Sequence, residues 1–438
     1  MKSWRRLALA IPLGLMGCST IDGLFADTKI PLEGKREQVA VVRRGLAIDV
    51  TDAAPVVVPP PSPVMDWPQM GGTAAHQGGH IATAGLAPAW RADVGAAGGY
   101  RSKILATPVV AGGRVFTLDA DATVSAFDIQ TGARIWRTDT QDKEDRSTNV
   151  GGGLAVAGGT VYVTTGRADV LSLDAGTGAI RWRKPLGSPA RSAPTVAGDR
   201  VFATTIDTRL VALDAKTGER TWQYQGNAVA TTLLGQGAPA VADGIVVAGF
   251  GSGEIVAVRE ESGALAWSDS LASSRGRNSL VDLSAIRGLP VVDQGRVYAI
   301  GAGGLLLAID LRTGRRLWER EVGGTQTPWL AGDWLFVQTS DQSLAAIRTS
   351  DGRLRWRTDL PRFENEAKKQ DIIFWTGPVL VNNRLVLAGS NEQAVSVAPG
   401  TGKIIGLIDL RGAATVAPVA AAGTLLILTE DATLQAFK

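Results

Sequence analysis

Beyond residue 100 the chain alternates short apolar runs with polar punctuation at a fixed spacing. Residues 194–222 read PTVAGDRVFATTIDTRLVALDAKTGERTW, and residues 290–318 read PVVDQGRVYAIGAGGLLLAIDLRTGRRLW. Each places a Trp 28 positions after a Pro, and the same offset joins Pro108 to Trp136, Pro239 to Trp267 and Pro328 to Trp356. Trp182 lies 28 positions after Leu154, whereas the unit starting at Pro378 reaches Gly406, where the Trp is missing. A Gly stands four residues before each of these seven positions: Gly132, Gly178, Gly218, Gly263, Gly314, Gly352 and Gly402. Inside a unit, apolar and polar residues alternate with period two, which predicts short strands. Gly112-Gly113, Gly198-Asp199 and Gly295-Arg296 predict the turn after the first strand. Asp-x-x-Thr-Gly predicts the turn before the fourth: its Asp accepts local N–H groups and its Gly supplies a positive φ. Four short strands every ~40–50 residues predict the blades of a β-propeller.

The last unit starts at Pro418 and would need its Trp at position 446, but the chain ends at Lys438. Near the front, residues 86–91 (LAPAWR) read as an outer strand with nothing before it. The expected fold is therefore all-β: an eight-bladed propeller of four-stranded antiparallel blades, closed by the N-terminal strand around Trp90. Such closure pairs two otherwise free strand edges. Trp90, Trp136, Trp182, Trp222, Trp267, Trp318 and Trp356 recur once per blade, which predicts blade-to-blade docking and not ligand stacking. Gly406 predicts a looser or differently packed seventh blade.

The front of the chain is organised differently. Lys2, Arg5 and Arg6 precede an apolar run over residues 7–16 that is short for a membrane span and reads as a secretory signal. Leu15-Met16-Gly17-Cys18 resembles a bacterial lipobox, which implies cleavage before Cys18 and its acylation. Met16 is an unusual residue there. Ser19, in place of Asp, resembles the pattern sent to the outer membrane. The expected organisation is a signal peptide over 1–17, a lipid anchor and Pro-rich linker over 18–66, and the propeller over 67–438. Residues 55–63 (PVVVPPPSP) predict an extended spacer. Residues 29–44 read as a tether or as a strand that adds to a partner or to the body itself.

Composition narrows the chemistry. Gly makes up 53 of 438 residues, which disfavours a helical protein. One Cys excludes an internal disulfide framework, and two His make a Cys/His metal site improbable. His76 and His80 form at most a weak metal pair in a Gly-rich segment, the other reading being surface or capping residues. Residues 301–307 (GAGGLLL) fit a blade turn, since no helix follows to make a phosphate loop. Without residues 1–17 the charges balance at 42 against 42, so no long-range field steers nucleic acid.

AFDIQTGARIW and AIDLRTGRRLW resemble the repeat of the PQQ quinoprotein propellers. That family holds dehydrogenases and the BamB lipoproteins of the outer-membrane β-barrel assembly machine. One eight-bladed domain behind a lipobox resembles the BamB branch. Residues 66–80 (DWPQMGGTAAHQGGH) and 323–336 (GGTQTPWLAGDWLF) resemble its alphaproteobacterial members. The likeness covers residues 67–438. It implies a non-enzymatic scaffold in the outer membrane, facing the periplasm, with no cofactor. The implied partners are a POTRA domain of BamA, other Bam subunits and unfolded barrel precursors that pair with strand edges or loops.

The outer-to-inner crossings vary in length, from 9 residues after Trp318 to 22 after Trp267, and variable loops on one face mark a binding surface. On the resemblance, the BamA contact falls on Thr231, Leu233, Leu234 and Gln236 and on Leu283, Ser284, Ala285 and Arg287. Family members often read LSD-x-D where this chain reads LSAIR, so Ala285 and Arg287 remove negative charge. The alternatives are a PQQ-dependent dehydrogenase, which brings Ca²⁺-binding carboxylates, a catalytic Asp and commonly an adjacent Cys pair, or a generic envelope adaptor. The turn residues Asp128, Asp174, Asp214 and Asp310 are poor candidates for a central metal.

Overall fold

The computed structural model describes residues 41–49, 54–100, 102–142, 148–229, 233–272 and 285–438. Cys18, Thr231, Leu283 and Ser284 lie outside them. Among the described residues, eight sheets have the expected blade order. Blade 1 runs from an inner strand Val109–Ala111 through Arg114–Leu118 and Thr123–Asp128 to an outer strand Arg134–Asp139. The outer strands of blades 2 to 7 are Ile180–Pro185, Arg220–Gln225, Leu265–Ser270, Arg316–Glu321, Leu354–Asp359 and Ile404–Asp409. Blade 8 takes Val419–Ala421, Thr424–Leu428 and Thr433–Phe437 from the C-terminus and Pro88–Asp93 from the front. Asp93 pairs with Thr433 and Trp90 with Ala436, in antiparallel register.

Alternation explains the strands and two local devices explain the turns. In Asp-x-x-Thr-Gly, the Asp128 carboxylate accepts the Gln130 and Thr131 N–H groups and the Thr131 hydroxyl at 2.9–3.0 Å, and Asp174, Asp214 and Asp310 do the same. In every blade the pairing of third and fourth strands slips by one residue ahead of the Trp position. This bulge re-aims the side chain. Its presence at Pro88/Trp90 shows that the composite blade matches the covalent ones. In blade 5 the first turn is Gln294-Gly295, one residue earlier than the sequence suggests.

Each Trp lies over the Gly turn of the next blade. A Cβ on Gly132, Gly178, Gly218, Gly263, Gly314, Gly352 or Gly402 would sit 2.5–2.8 Å from the preceding blade's indole, so only Gly allows the approach. Six of the seven indole N–H groups donate to the carbonyl three residues before that Gly, as Trp318 does to Thr349 at 2.8 Å. Trp182 is the exception. The Tyr162 hydroxyl takes the equivalent Ala215 carbonyl at 3.2 Å. The expectation for Gly406 changes accordingly. A Trp there would face blade 8, whose third and fourth strands are not joined by an Asp-x-x-Thr-Gly turn and where Leu86, not Gly, stands four residues before Trp90. Blade 7 is not slack, since its inner three strands are buried like the others.

The segment before blade 8 belongs to the body from further back than residue 67. Val41–Arg44 pairs in parallel with Arg316–Glu321 as a fifth strand on blade 5. Arg355 donates to the Ala54 carbonyl, Val56 is buried in the core, and Pro59 packs near Gly332. The Pro-rich stretch thus lies along the ring instead of standing off as a spacer.

Residues 64–84 then make one circuit of the channel mouth. Val64 accepts from Ala422 of blade 8, Trp67 exchanges both backbone bonds with Val110 of blade 1, and Pro68 accepts from Val156 of blade 2. The Gln69 amide bridges both backbone groups of Val196 in blade 3. Ala74 and Ala75 accept from Val241 and Val292 of blades 4 and 5. Gly79 donates to Leu330, Ile81 to Leu380 and Ala84 to Gly423, in blades 6, 7 and 8. The Gly-rich composition serves this plug, where backbone must lie close to eight inner strands at once.

Candidate functional site

The crossings from outer to inner strand and the second-to-third turns share one face, opposite the plug. There the channel opens as a well of about 120 Å³. Its floor is the plug itself, Trp67, Met70, Gly71 and His76, together with Trp329. Trp67 and Trp329 stack 5.9 Å apart at 6°, and the Trp329 indole donates to the Gly79 carbonyl. The walls are the crossings, with Thr107, Arg191, Gln236, Arg287 and Gln326 as their main polar side chains.

His76 is 2% exposed, so the surface reading of this residue gives way. Its Nδ1 lies 2.8 Å from the Pro290 carbonyl, and its Nε2 has no partner. Burial pushes its pKa down to about 4. His80 is also buried, and occupies a different place: Nδ1 donates to the Pro59 carbonyl and Nε2 accepts the Asn383 N–H. The two histidines therefore hold different parts of the plug, and among the described residues no group of three or more potential metal ligands forms. Hydrogen bonds from Thr131, Arg181, Thr217 and Thr313, respectively, are the first cause holding Asp128, Asp174, Asp214 and Asp310 below the ordinary carboxylate value. These aspartates serve the turns, away from the channel.

The expected partner residues converge in part. Leu234 is 39% exposed. Leu233 shares a small cleft with Ile206, Arg191 and Gln236. Gln236 donates its N–H to the Arg191 carbonyl at 3.2 Å. The Arg287 guanidinium lies against Gly235, so close that a Cβ there would be 3.1 Å from Nη2. Both crossings thus meet at Gly235 and Arg287. Ala285 does not join them at the surface. It is 1% exposed and its carbonyl accepts from Ala302, while Ile286 packs on Gly249. The segment after residue 284 is therefore tucked into the ring, and Arg287, half-buried, faces the well. Sequence reading did not single out Arg191, because one Arg in a crossing carries no periodic signal.

Burial holds Arg191 and Arg287 below the ordinary arginine value. Among the described residues neither has an acidic partner, and no Asp or Glu lines the well. The described walls therefore hold no carboxylate of the kind that binds Ca²⁺ in a quinoprotein centre, and these residues do not fit that centre.

A closed eight-bladed ring with a plugged channel and a loop-built opposite face defines a propeller of the PQQ-repeat class. The family model described as "Outer membrane protein assembly factor BamB" matches residues 81–149 and 120–358. The BamB of Yersinia pestis is 30% identical over 80% of this chain and 88% of its own length. That of Alkalilimnicola ehrlichii is 38% identical over 80% and 87%. The crystal structure of BamB from Moraxella catarrhalis superposes with a TM-score of 0.68 at 21% identity, covering 81% of this chain and 99% of that one. Quinohemoprotein alcohol dehydrogenase from Comamonas testosteroni gives 0.65 at 15% identity, covering 85% and 80%, which is likeness of fold. The chain belongs to the BamB family of outer membrane protein assembly factors, whose work is assembly and not catalysis.

Proposed function

We propose that the chain is a lipid-anchored scaffold of the barrel assembly complex, facing the periplasm and binding a POTRA domain of BamA through the crossing face. Cleavage after residue 17 and acylation of Cys18 supply the anchor, since each buried CH₂ adds ~0.8 kcal/mol. The observation that carries the reading is the meeting of two crossings at Gly235 and Arg287, with Leu234 exposed beside them. An apolar anchor flanked by an unpaired cation suits a partner that offers an apolar residue next to a carboxylate. Thr231, Leu283 and Ser284 extend the contact on the strength of the family resemblance, and other Bam subunits and barrel precursors complete the proposed partners. The alphaproteobacterial type is likewise a proposal. It rests on residues 66–80 and 323–336, which form the plug and the strand beneath it.

Leu234→Asp in the full chain should lower BamA recovered by co-purification from membranes about tenfold or more, with the circular dichroism spectrum unchanged. This is the effect of placing a charge at a desolvated contact. Undiminished recovery would remove this surface from the interface.

A further inference from the structure

The well on the crossing face has a polarity that the scaffold role uses only at Arg287. Arg191 and Arg287 both line it, and neither guanidinium has a hydrogen-bond or ion-pair partner among the described residues. Leaving two cations partly buried and uncompensated is costly, and an anion between them would remove that cost. His76, at the floor and 2% exposed, keeps a buried Nε2 without a partner. Its Nδ1 faces a carbonyl at 2.8 Å and must carry the proton, so the neutral ring leaves Nε2 as a bare acceptor. The Trp67–Trp329 stack adds an aromatic surface beside it. The well thus offers donors at the wall, an acceptor at the floor and apolar surface between.

We infer that this well is a binding site for a small carboxylate on an apolar or aromatic body that also carries an O–H or N–H donor. The carboxylate would meet Arg191 and Arg287, and the donor would press into the floor to reach the buried His76 Nε2. The volume of about 120 Å³ is below the ~150 Å³ of an apolar cavity that holds benzene, so the well takes at most one ring, with its carboxylate toward the open mouth. The same chemistry is presented by a free hydroxylated aromatic acid and by the terminal residue of a polypeptide. The inference does not rest on the BamA reading, although both use Arg287, and its test is made on the isolated chain.

The test is titration of the purified full chain with 4-hydroxybenzoate, read by tryptophan fluorescence and by calorimetry. Saturable binding with one site per chain is expected. Benzoate, lacking the donor, and 4-hydroxybenzamide, lacking the charge, should each bind about tenfold more weakly, and Arg191→Gln should weaken 4-hydroxybenzoate by at least about as much. Absence of saturable binding, or equal affinity for the acid and its amide, would overturn the site. That comparison uses the native chain, so it holds even where a variant folds poorly. The peptide Ala-Ala-Tyr with a free or an amidated terminus then separates the sources. Tighter binding of the free terminus than of 4-hydroxybenzoate supports chain ends, and weaker binding supports a free acid. BamA recovery is measured in parallel, so a failed well and a failed partner surface give different results.

Discussion

Every docking Trp works as half of a pair, and the other half is a glycine in the next blade. Trp318 is 1% exposed, packs against Tyr298 of its own blade and covers Gly352 of the next. It also donates to Thr349 and so ties two sheets together. Trp318→Ala would leave a large cavity and an unfilled carbonyl, at about 3–5 kcal/mol. The expected readout is a lower urea midpoint with an unchanged slope. Gly406→Trp, which restores the repeat on paper, should bring no gain in the same assay because blade 8 has no Gly turn to receive it. A stabilised Gly406→Trp protein would show that the indole needs no partner glycine. The pair is also what made the fold readable. A fixed 28-residue offset with a Gly four positions ahead fixes strand count, turn position and blade order, because both residues answer to the same local geometry. The cause of the gap at Gly406 could not be read, because it lies in the neighbouring blade.

At the scale of the element, the plug shows where reading by pattern fails. Its segment contacts each blade through about one hydrogen bond, mostly from backbone, and backbone bonds leave no mark in side-chain periodicity. Residues 54–63 escaped for the same reason, whereas 41–44 match the reading of a strand that adds to the body itself. His76 makes the plug testable. Its pKa is about 4 folded, against 6.5 for an ordinary histidine. Between these values the unfolded chain binds a proton that the folded chain does not, so stability rises with pH through this window and is lost as pH falls through it. The gap corresponds to about 3 kcal/mol at most. Burial raises the pKa of Asp119 and Asp293, which gives the opposite slope just above the carboxylate range. The difference between the native chain and His76→Gln therefore isolates the histidine. Urea melts at pH 7 and pH 4.5 should show a larger loss for the native chain. Equal losses would mean that His76 takes up its proton without disturbing the plug.

For the whole molecule, the question is what holds a ring shut when one of its eight joints is non-covalent. Pro88–Asp93 keeps five register pairs with Thr433–Phe437, and Ala87 and Lys438 exchange backbone bonds at 2.8 and 2.9 Å just beyond them. Lys438 also reaches the Gln130 side chain at 2.8 Å, bracing the joint against blade 1. The joint has a blade's ordinary pairing but lacks a covalent turn, so opening there exposes two strand edges at the cost of one sheet interface. Unfolding should start at this place. Asp93 and Thr433 are register partners, and a cross-strand pair has a Cα separation within the range a disulfide spans. Asp93→Cys with Thr433→Cys, oxidised, would tie all eight blades into one loop and should stabilise it by roughly 2–5 kcal/mol. If the joint opens first, the oxidised protein should also unfold more slowly, and reduction should restore the native rate. A raised midpoint with an unchanged unfolding rate would place the first opening in another blade, and the ring would then be held as firmly at its seam as anywhere else.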